Sequence, residues 1–211
     1  MIELCTKNID SIWFGVAYRE ENILSTAFSA SQKTTLSSLL NSIPYNAAFQ
    51  VVPNGSVFAM KIISLMKNIY DGKGSSQFFN LSYSHLRVYT SQVLMVVSQI
   101  PVGYVSSYGF VAKAIGGGPR AVGNVMASNP FAPIVPCHRV VTSDLRLGGY
   151  SGGLALKFDL LKRERRGHTK QREILVDGKQ LQVFPVEFVF SQLEKKFPSL
   201  FSINPFAKNQ D

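Results

Sequence analysis

The stretch Ser107-Tyr108-Gly109-Phe110-Val111-Ala112-Lys113-Ala114-Ile115-Gly116-Gly117-Gly118-Pro119-Arg120-Ala121-Val122-Gly123-Asn124-Val125-Met126-Ala127-Ser128-Asn129-Pro130 decides the fold of the second half of the chain. Ser106 or Ser107 can cap a helix running from Tyr108 to Ile115, because a serine hydroxyl accepts from the spare N–H groups of the first turn. Gly116-Gly117-Gly118 is a tight turn. Pro119 then suits a first helical position, where its fixed φ helps and its missing N–H costs nothing. The next helix is read as residues 120–128 and stops before Asn129-Pro130. Two short helices joined by a glycine turn make a helix-turn-helix. Val122, Val125 and Met126 fall at i, i+3 and i+4 and point inward. Arg120, Gly123, Asn124 and Ala127 take the opposite side. That outer face is small and polar with one cation at its start, so it permits close approach to another surface. DNA is the natural candidate.

Upstream, residues 86–100 form a helix with Val93, Leu94, Val96, Val97 and Ile100 on its apolar side, ended by Pro101-Val102-Gly103. Residues 71–76, Asp-Gly-Lys-Gly-Ser-Ser, are the best linker in the chain. Before it, residues 11–18 and 23–28 are β-rich and flank a polar turn, which predicts a hairpin, with residues 2–6 as a third strand. Residues 33–43, with Leu36, Leu39 and Leu40 on one face, and residues 57–70 are predicted helices. Beyond residue 164 come a basic stretch (Arg165, Arg166, Lys170, Arg172), a hairpin around Asp177-Gly178 and a helix over 186–197 with Phe188, Val189, Leu193 and Phe197 to bury. The expectation is an α+β protein: a small strand-rich N-terminal unit (1–80), a winged-helix-like helix-turn-helix unit (81–164) and a C-terminal extension (165–211). Docking of the extension onto the fold is favoured over a purely DNA-binding role.

Composition bounds the function. The 211 residues are 45% hydrophobic and 17% charged, which excludes long disorder. No apolar run approaches the ~20 residues of a membrane helix. An acid, Glu3, sits where a signal peptide carries basic residues, so a cytosolic (or nuclear) location is expected. The net charge is +9. Residues 1–80 carry 6 basic and 5 acidic side chains, residues 81–164 carry 8 and 3, and residues 165–211 carry 8 and 5. The excess therefore begins after residue 80, as suits a polyanion partner. Two cysteines, Cys5 and Cys137, cannot build a disulfide scaffold, and three scattered histidines offer no zinc-ligand spacing. His85 and His168 read as ordinary surface residues.

After the helix-turn-helix the chain reads Pro133-Ile134-Val135-Pro136-Cys137-His138-Arg139-Val140-Val141. A cysteine between an apolar, proline-rich approach and a His-Arg pair is an unusual core residue. His138 could supply the base and nearby cation that favour thiolate. In an extended strand adjacent side chains diverge, so a Cys–His connection needs a bend or a bridging water. Gly148-Gly149-Tyr150-Ser151-Gly152-Gly153 is a loop whose glycines let backbone N–H groups face a ligand; it leads into a helix over residues 154–164.

Together these pieces resemble one family. Ser107-Tyr108-Gly109, Arg120-Ala121-Val122-Gly123, Asn129-Pro130, Pro136-Cys137-His138-Arg139-Val140, Gly149-Tyr150-Ser151-Gly152-Gly153-Leu154 and Leu160-Leu161-Lys162-Arg163-Glu164 are similar, in order and in most spacings, to the active-site domain of the O6-alkylguanine-DNA alkyltransferases, the methylated-DNA–protein-cysteine methyltransferases. The resemblance covers about a third of the chain. It implies irreversible, stoichiometric transfer of an alkyl group from guanine O6 to Cys137. His138 would take the thiol proton through water, Glu164 would orient it, and Tyr108 would donate to the leaving guanine. The backbone at Tyr150 and Ser151 would bind the O6 side and the Val140 carbonyl the exocyclic amine. Met126 would line the pocket, and Asn129 would brace the turn behind Cys137. Arg120 would fill the gap left by the flipped base, with Ala121, Gly123, Asn124 and Ala127 on the DNA face of a helix entering the minor groove. The implied partner is double-stranded DNA containing alkylated guanine, with no membrane. The protein is expected to be a monomer and to need no cofactor or metal. The rival is a non-catalytic helix-turn-helix module, a damage sensor or regulator; the presence of Cys137 argues against the sensor.

Overall fold

A computed structural model of the chain describes residues 1–74 and 79–196. Ser75 and Ser76 of the expected linker and Phe197 of the expected last helix lie outside the described residues. The architecture is α+β. β1 (Ile2–Ile9), β2 (Ile12–Arg19) and β3 (Asn22–Ser29) form an antiparallel meander, with Cys5 opposite Val16 and Phe14 opposite Phe28. α1 (Gln32–Ser42) follows, capped by Ser31. β4 (Phe49–Val51) and β5 (Asn80–Leu81) add parallel edges, giving the order β4-β1-β2-β3-β5. Neither edge strand was expected, because three and two residues carry too little pattern. α2 (Val57–Tyr70) turns Ile62, Ile63, Met66 and Ile69 inward, as its spacing requires. α1 buries Leu39 with Thr35, whereas Leu40 is 37% exposed, so its buried stripe is narrower than the leucine spacing implied.

α3 (Val88–Ser98) leads through β6 (Tyr104–Ser107) into α4 (Tyr108–Ile115) and α5 (Pro119–Ala127). The Ser107 hydroxyl accepts from the Phe110 N–H at 3.1 Å, and Pro119 occupies the start of α5. Val122, Val125 and Met126 are buried, while Arg120, Asn124 and Ala127 are exposed. The two helices and the chemistry of the turn between them thus follow the expectation closely. β7 (Val140–Val141) lies parallel beside β6, and α6 (Leu154–Arg163) begins after Gly153, whose φ of +88° suits only glycine.

The described part of the C-terminal extension, residues 165–196, docks onto the fold. β8 (Arg172–Val176) and β9 (Lys179–Pro185) form the hairpin expected around Asp177-Gly178, and β9 pairs antiparallel with β6, extending that sheet. α7 (Val186–Lys196) buries Val186, Val189 and Phe190 against Val105, Val141 and Leu161. The buried face is therefore set by Val186, Val189 and Phe190, with Leu193 partly buried, and Phe188 lies off it. Burying each such side chain favours the docked state by roughly 1.5–3 kcal/mol.

Much of the basic stretch is also absorbed into packing. Arg163 donates to the Tyr70 carbonyl at 2.9 Å, and Arg166 donates to that of Gly72. Both cations thereby complement the C-terminal end of α2. Arg165 lies over Phe190, and Arg172 lies 4.1 Å from the centre of the Tyr104 ring. The two histidines left at the surface by sequence are not ordinary surface residues. His168 is half-buried and stacks on Tyr104 at 4.7 Å. Both ring nitrogens of His85 are shielded from solvent, and burial lowers its pKa.

Candidate active site

A cavity of about 550 Å³ opens between the start of α4, the outer face of α5 and the 148–151 loop. Cys137 lies in its wall and is only 3% exposed. Tyr108, Arg120, Met126, Tyr150 and Ser151 line it together with Gly123 and Ala127. Ala121 and Asn124 are on α5 but not in the cavity wall; Asn124 is exposed and Ala121 half-buried.

Cys137, His138 and Arg139 form a single 3-10 turn rather than an extended strand, which is the bend that adjacent Cys and His required. Asn129 holds this turn from behind. Its amide donates to the Val135 carbonyl at 2.8 Å, and its side-chain oxygen accepts the Phe131 N–H at 3.0 Å. Burial pushes the Cys137 thiol pKa up. Hydrogen bonds from Asn129 and Tyr150 and the charge of Lys157 act against that rise.

His138 and Glu164 do not reach the cavity; they sit behind it, 0% and 1% exposed. His138 Nε2 is 2.9 Å from Glu164 Oε1. Glu164 is held at about 2, because His138 and Arg139 oppose the effect of its burial, so it is an ionised acceptor at neutral pH. Burial lowers the His138 pKa. A neutral ring that donates from Nε2 carries its lone pair on Nδ1. Nδ1 is buried and has no partner among the described residues. In that tautomer Nδ1 can accept a proton, on the residue next to Cys137 along the chain.

Tyr108 donates to the Gly149 carbonyl at 3.3 Å. Burial raises its pKa, so it keeps its proton at neutral pH. Gly148, at φ +68°, packs against the same ring: a Cβ there would lie 3.1 Å from Tyr108 Cε2.

Residues 88–166 match the profile of the 6-O-methylguanine DNA methyltransferase DNA-binding domain. The chain is 44% identical over 84 residues to the methylated-DNA–protein-cysteine methyltransferase of Methanothermobacter thermautotrophicus, an alignment covering 40% of this chain and 48% of that protein. It is 42% identical over 103 residues to the enzyme of the same name from Pyrobaculum aerophilum, covering 43% of this chain and 70% of that protein. The chain belongs to the methylated-DNA–protein-cysteine methyltransferase family. Its fold agrees with the crystal structure of O6-methylguanine-DNA methyltransferase from Pyrococcus kodakaraensis, with a TM-score of 0.60 and 26% identity over 78% of this chain and 99% of the other. The sequence alignment spans about half of the first of these relatives, whereas the structural one spans nearly all of its counterpart.

Two side chains of this methyltransferase-family site were missed by sequence reasoning. Lys157 is fully buried. Its ammonium donates to the Val140 carbonyl at 2.6 Å and the Gly149 carbonyl at 3.2 Å, about 6 Å from the Tyr108 and Tyr150 ring centres. Burial lowers its pKa to about 8, so at neutral pH it remains charged and favours the Cys137 thiolate. The signal was present: positions 157, 160, 161 and 164 share one face of α6, so a lysine in an apolar stripe marked an inward cation. The second is Arg139. Its Nε and Nη2 grip the Glu164 carboxylate at 2.8–3.1 Å, and its Nη1 donates to the Ile100 carbonyl at 2.6 Å. No spacing rule connects Arg139 to a residue 25 positions away.

Lys157→Met is expected to slow alkylation of Cys137 by a small electrophile about tenfold at neutral pH, the effect of moving a pKa by about one. The rate–pH profile should shift to higher pH. An unshifted profile would reduce Lys157 to packing.

Proposed function

We propose that this protein repairs DNA by moving an alkyl group from guanine O6 in a duplex to Cys137, once per molecule. The observation that carries this reading is a buried thiol in the wall of a cavity of about 550 Å³, roomy enough to admit a base, with an imidazole nitrogen that has no partner among the described residues on the next residue of the chain. The Cys137 proton passes through a water to His138 Nδ1, with Glu164 accepting from Nε2. The thiolate sulfur bonds to the alkyl carbon, the carbon–O6 bond breaks, and its electron pair stays on guanine. The Tyr108 hydroxyl donates a proton to the departing base and regains one through solvent from the His138 imidazolium, so the thiol proton ends on guanine. The product is a thioether, and nothing in the site returns it to a thiol, so the protein acts stoichiometrically.

The base must leave the stack to reach Cys137, which costs a few kcal/mol. Arg120, at the exposed start of α5, fills the vacated space. The small face of α5, including Ala121, Gly123, Asn124 and Ala127, seats against the minor groove. Met126 forms an apolar wall. The backbone of Tyr150 and Ser151 takes the O6 side. The Val140 carbonyl already carries Lys157 and has a second lone pair for the exocyclic amine. The working units are residues 1–80, with β5 (Asn80–Leu81) at the junction, and residues 81–164, whose sheet the extension 165–211 completes through β9. No helix among the described residues is long and apolar enough to cross a membrane; a cytoplasmic or nuclear site of action follows from the substrate.

Mixing the protein with a duplex containing O6-methylguanine and weighing its peptides tests this reading. One added methyl group on the Cys137 peptide is expected; an unmodified Cys137 refutes it. Arg120→Ala should slow reaction with the alkylated duplex at least tenfold, about 1.4 kcal/mol, more than it slows reaction with the free alkylated base, which needs no extrusion. Equal losses on the two would assign Arg120 to the pocket instead.

A further inference from the structure

Thr142 lies on the rim of the Cys137 cavity, and four residues later Arg146 lies on the rim of a second, smaller cleft of about 270 Å³. The turn between them is tightly made. The Thr142 N–H donates to the Arg146 carbonyl at 3.0 Å, the Leu145 N–H to the Thr142 carbonyl at 3.0 Å, and the Thr142 hydroxyl to the Arg146 carbonyl at 2.9 Å. Asp144 pairs with Arg146 and fixes its guanidinium. The other side of the cleft is the end of α7, through Gln192, Lys195 and Lys196. The residues lining the cleft carry three basic groups and one acid, Asp144, a formal charge of +2.

The position of α7 relative to the turn is set by packing. Its buried residues Val186, Val189 and Phe190 share a cluster with Val141, the residue immediately before the turn. The acid of its first turn, Glu187, is engaged elsewhere, accepting the Arg166 and Gly167 N–H groups at 3.0 and 2.7 Å. The basic end of α7 is therefore held beside the 142–146 turn. Residues 142–146 span at most about 14 Å of chain, and phosphates along one strand advance by about 3.4 Å each. The cleft therefore lies no farther from the rim of the Cys137 cavity than the rise of about four phosphates along a duplex axis.

We propose that the 142–146 turn and the end of α7 form a second phosphate-binding surface, which grips the backbone of the duplex whose damaged base enters the Cys137 cavity. The inference rests on the repair reading above and assigns the extension a part in it. Arg146, Lys195 and Lys196 supply the charge, and the docked hairpin and helix hold it in place.

The test uses the full-length protein and an undamaged duplex, with affinity measured over a range of KCl concentrations. Each lost phosphate contact flattens the log–log salt dependence by about 0.9. Lys195→Ala/Lys196→Ala is expected to flatten it by between about 1 and 2, and Arg146→Gln by about 1. Lys7→Ala/Lys61→Ala removes the same charge from exposed positions on β1 and α2 and should leave the slope unchanged. An unchanged slope in the α7 variant, or equal flattening by the two lysine pairs, overturns the proposal. Methyl transfer by the unaltered protein is followed separately by mass. Transfer with no slope change sinks the surface alone, whereas a slope change without transfer keeps the surface and sinks the repair reading.

Discussion

Cys137→Ser abolishes alkyl transfer while leaving binding to an alkylated duplex largely intact. The hydroxyl sits where the thiol sat, so the cavity keeps its shape. Its oxygen holds its proton at neutral pH, however, and His138 is too weak a base to remove it, whereas a thiol yields a strongly nucleophilic anion. The contacts assigned to DNA lie on α5, the 142–146 turn and the end of α7, and do not involve the sulfur. Labelled-methyl transfer and duplex affinity, measured on the same preparation, separate the two effects. A serine variant that still demethylated guanine would end the mechanism. Cys5 is the internal control. It is fully buried in β1 and faces Gly55, where a Cβ would lie 2.5 Å from its sulfur. Burial raises its pKa, and Cys5→Ala should transfer normally.

Glu164→Gln is expected to destabilise the fold by about 3–5 kcal/mol, because it leaves the buried Arg139 guanidinium without its counter-charge. For a chain of this size that lowers the melting temperature by roughly 10 °C. Transfer should slow as well, since the amide can turn its NH₂ toward His138 and no longer enforces the tautomer with the lone pair on Nδ1. The pH dependence checks the assignment. Glu164 is depressed to about 2 from an ordinary value of 4.5. Its stabilising contribution is therefore complete above about 4.5 and disappears as pH falls toward 2, where the unfolded chain binds the proton first. His138 acts in the same direction at higher pH. Its folded pKa lies below the ordinary 6.5, so the unfolded chain is protonated first as pH drops below that value, and stability falls. The melting curves of the native and Gln proteins should converge between pH 4.5 and 2. A constant gap across that window would mean that the Glu164 charge is not what holds Arg139 and His138.

The local rules were strong where backbone chemistry is local. The serine cap, the glycine turn and the proline start of α5 are each set within four residues, and α4 and α5 lie within a residue or so of where the sequence places them. The period of the apolar residues placed α2 and the inner face of α5, because burial on one side of a helix repeats every three to four positions. The motif from Pro136 to Val140 with the downstream Tyr150-Ser151-Gly152-Gly153 named the family and most of the residues around the cavity.

What sequence left open depended on pairs distant along the chain. The edge strands β4 and β5 exist because β1 and β3 offer them hydrogen-bonding partners, not through any pattern of their own. β9 completes the sheet of β6 from nearly eighty residues away, and α7 turns Phe190 rather than Phe188 inward because Val105, Val141 and Leu161 receive it there. Lys157 and Arg139 acquire their places beside Val140, Gly149 and Glu164 in the same way. A side chain's ion-pair or carbonyl partner is fixed only once packing has brought two elements together and excluded water, so the family and the proposed nucleophile could be read along the chain, but the charges around that thiol could be read only in the folded core.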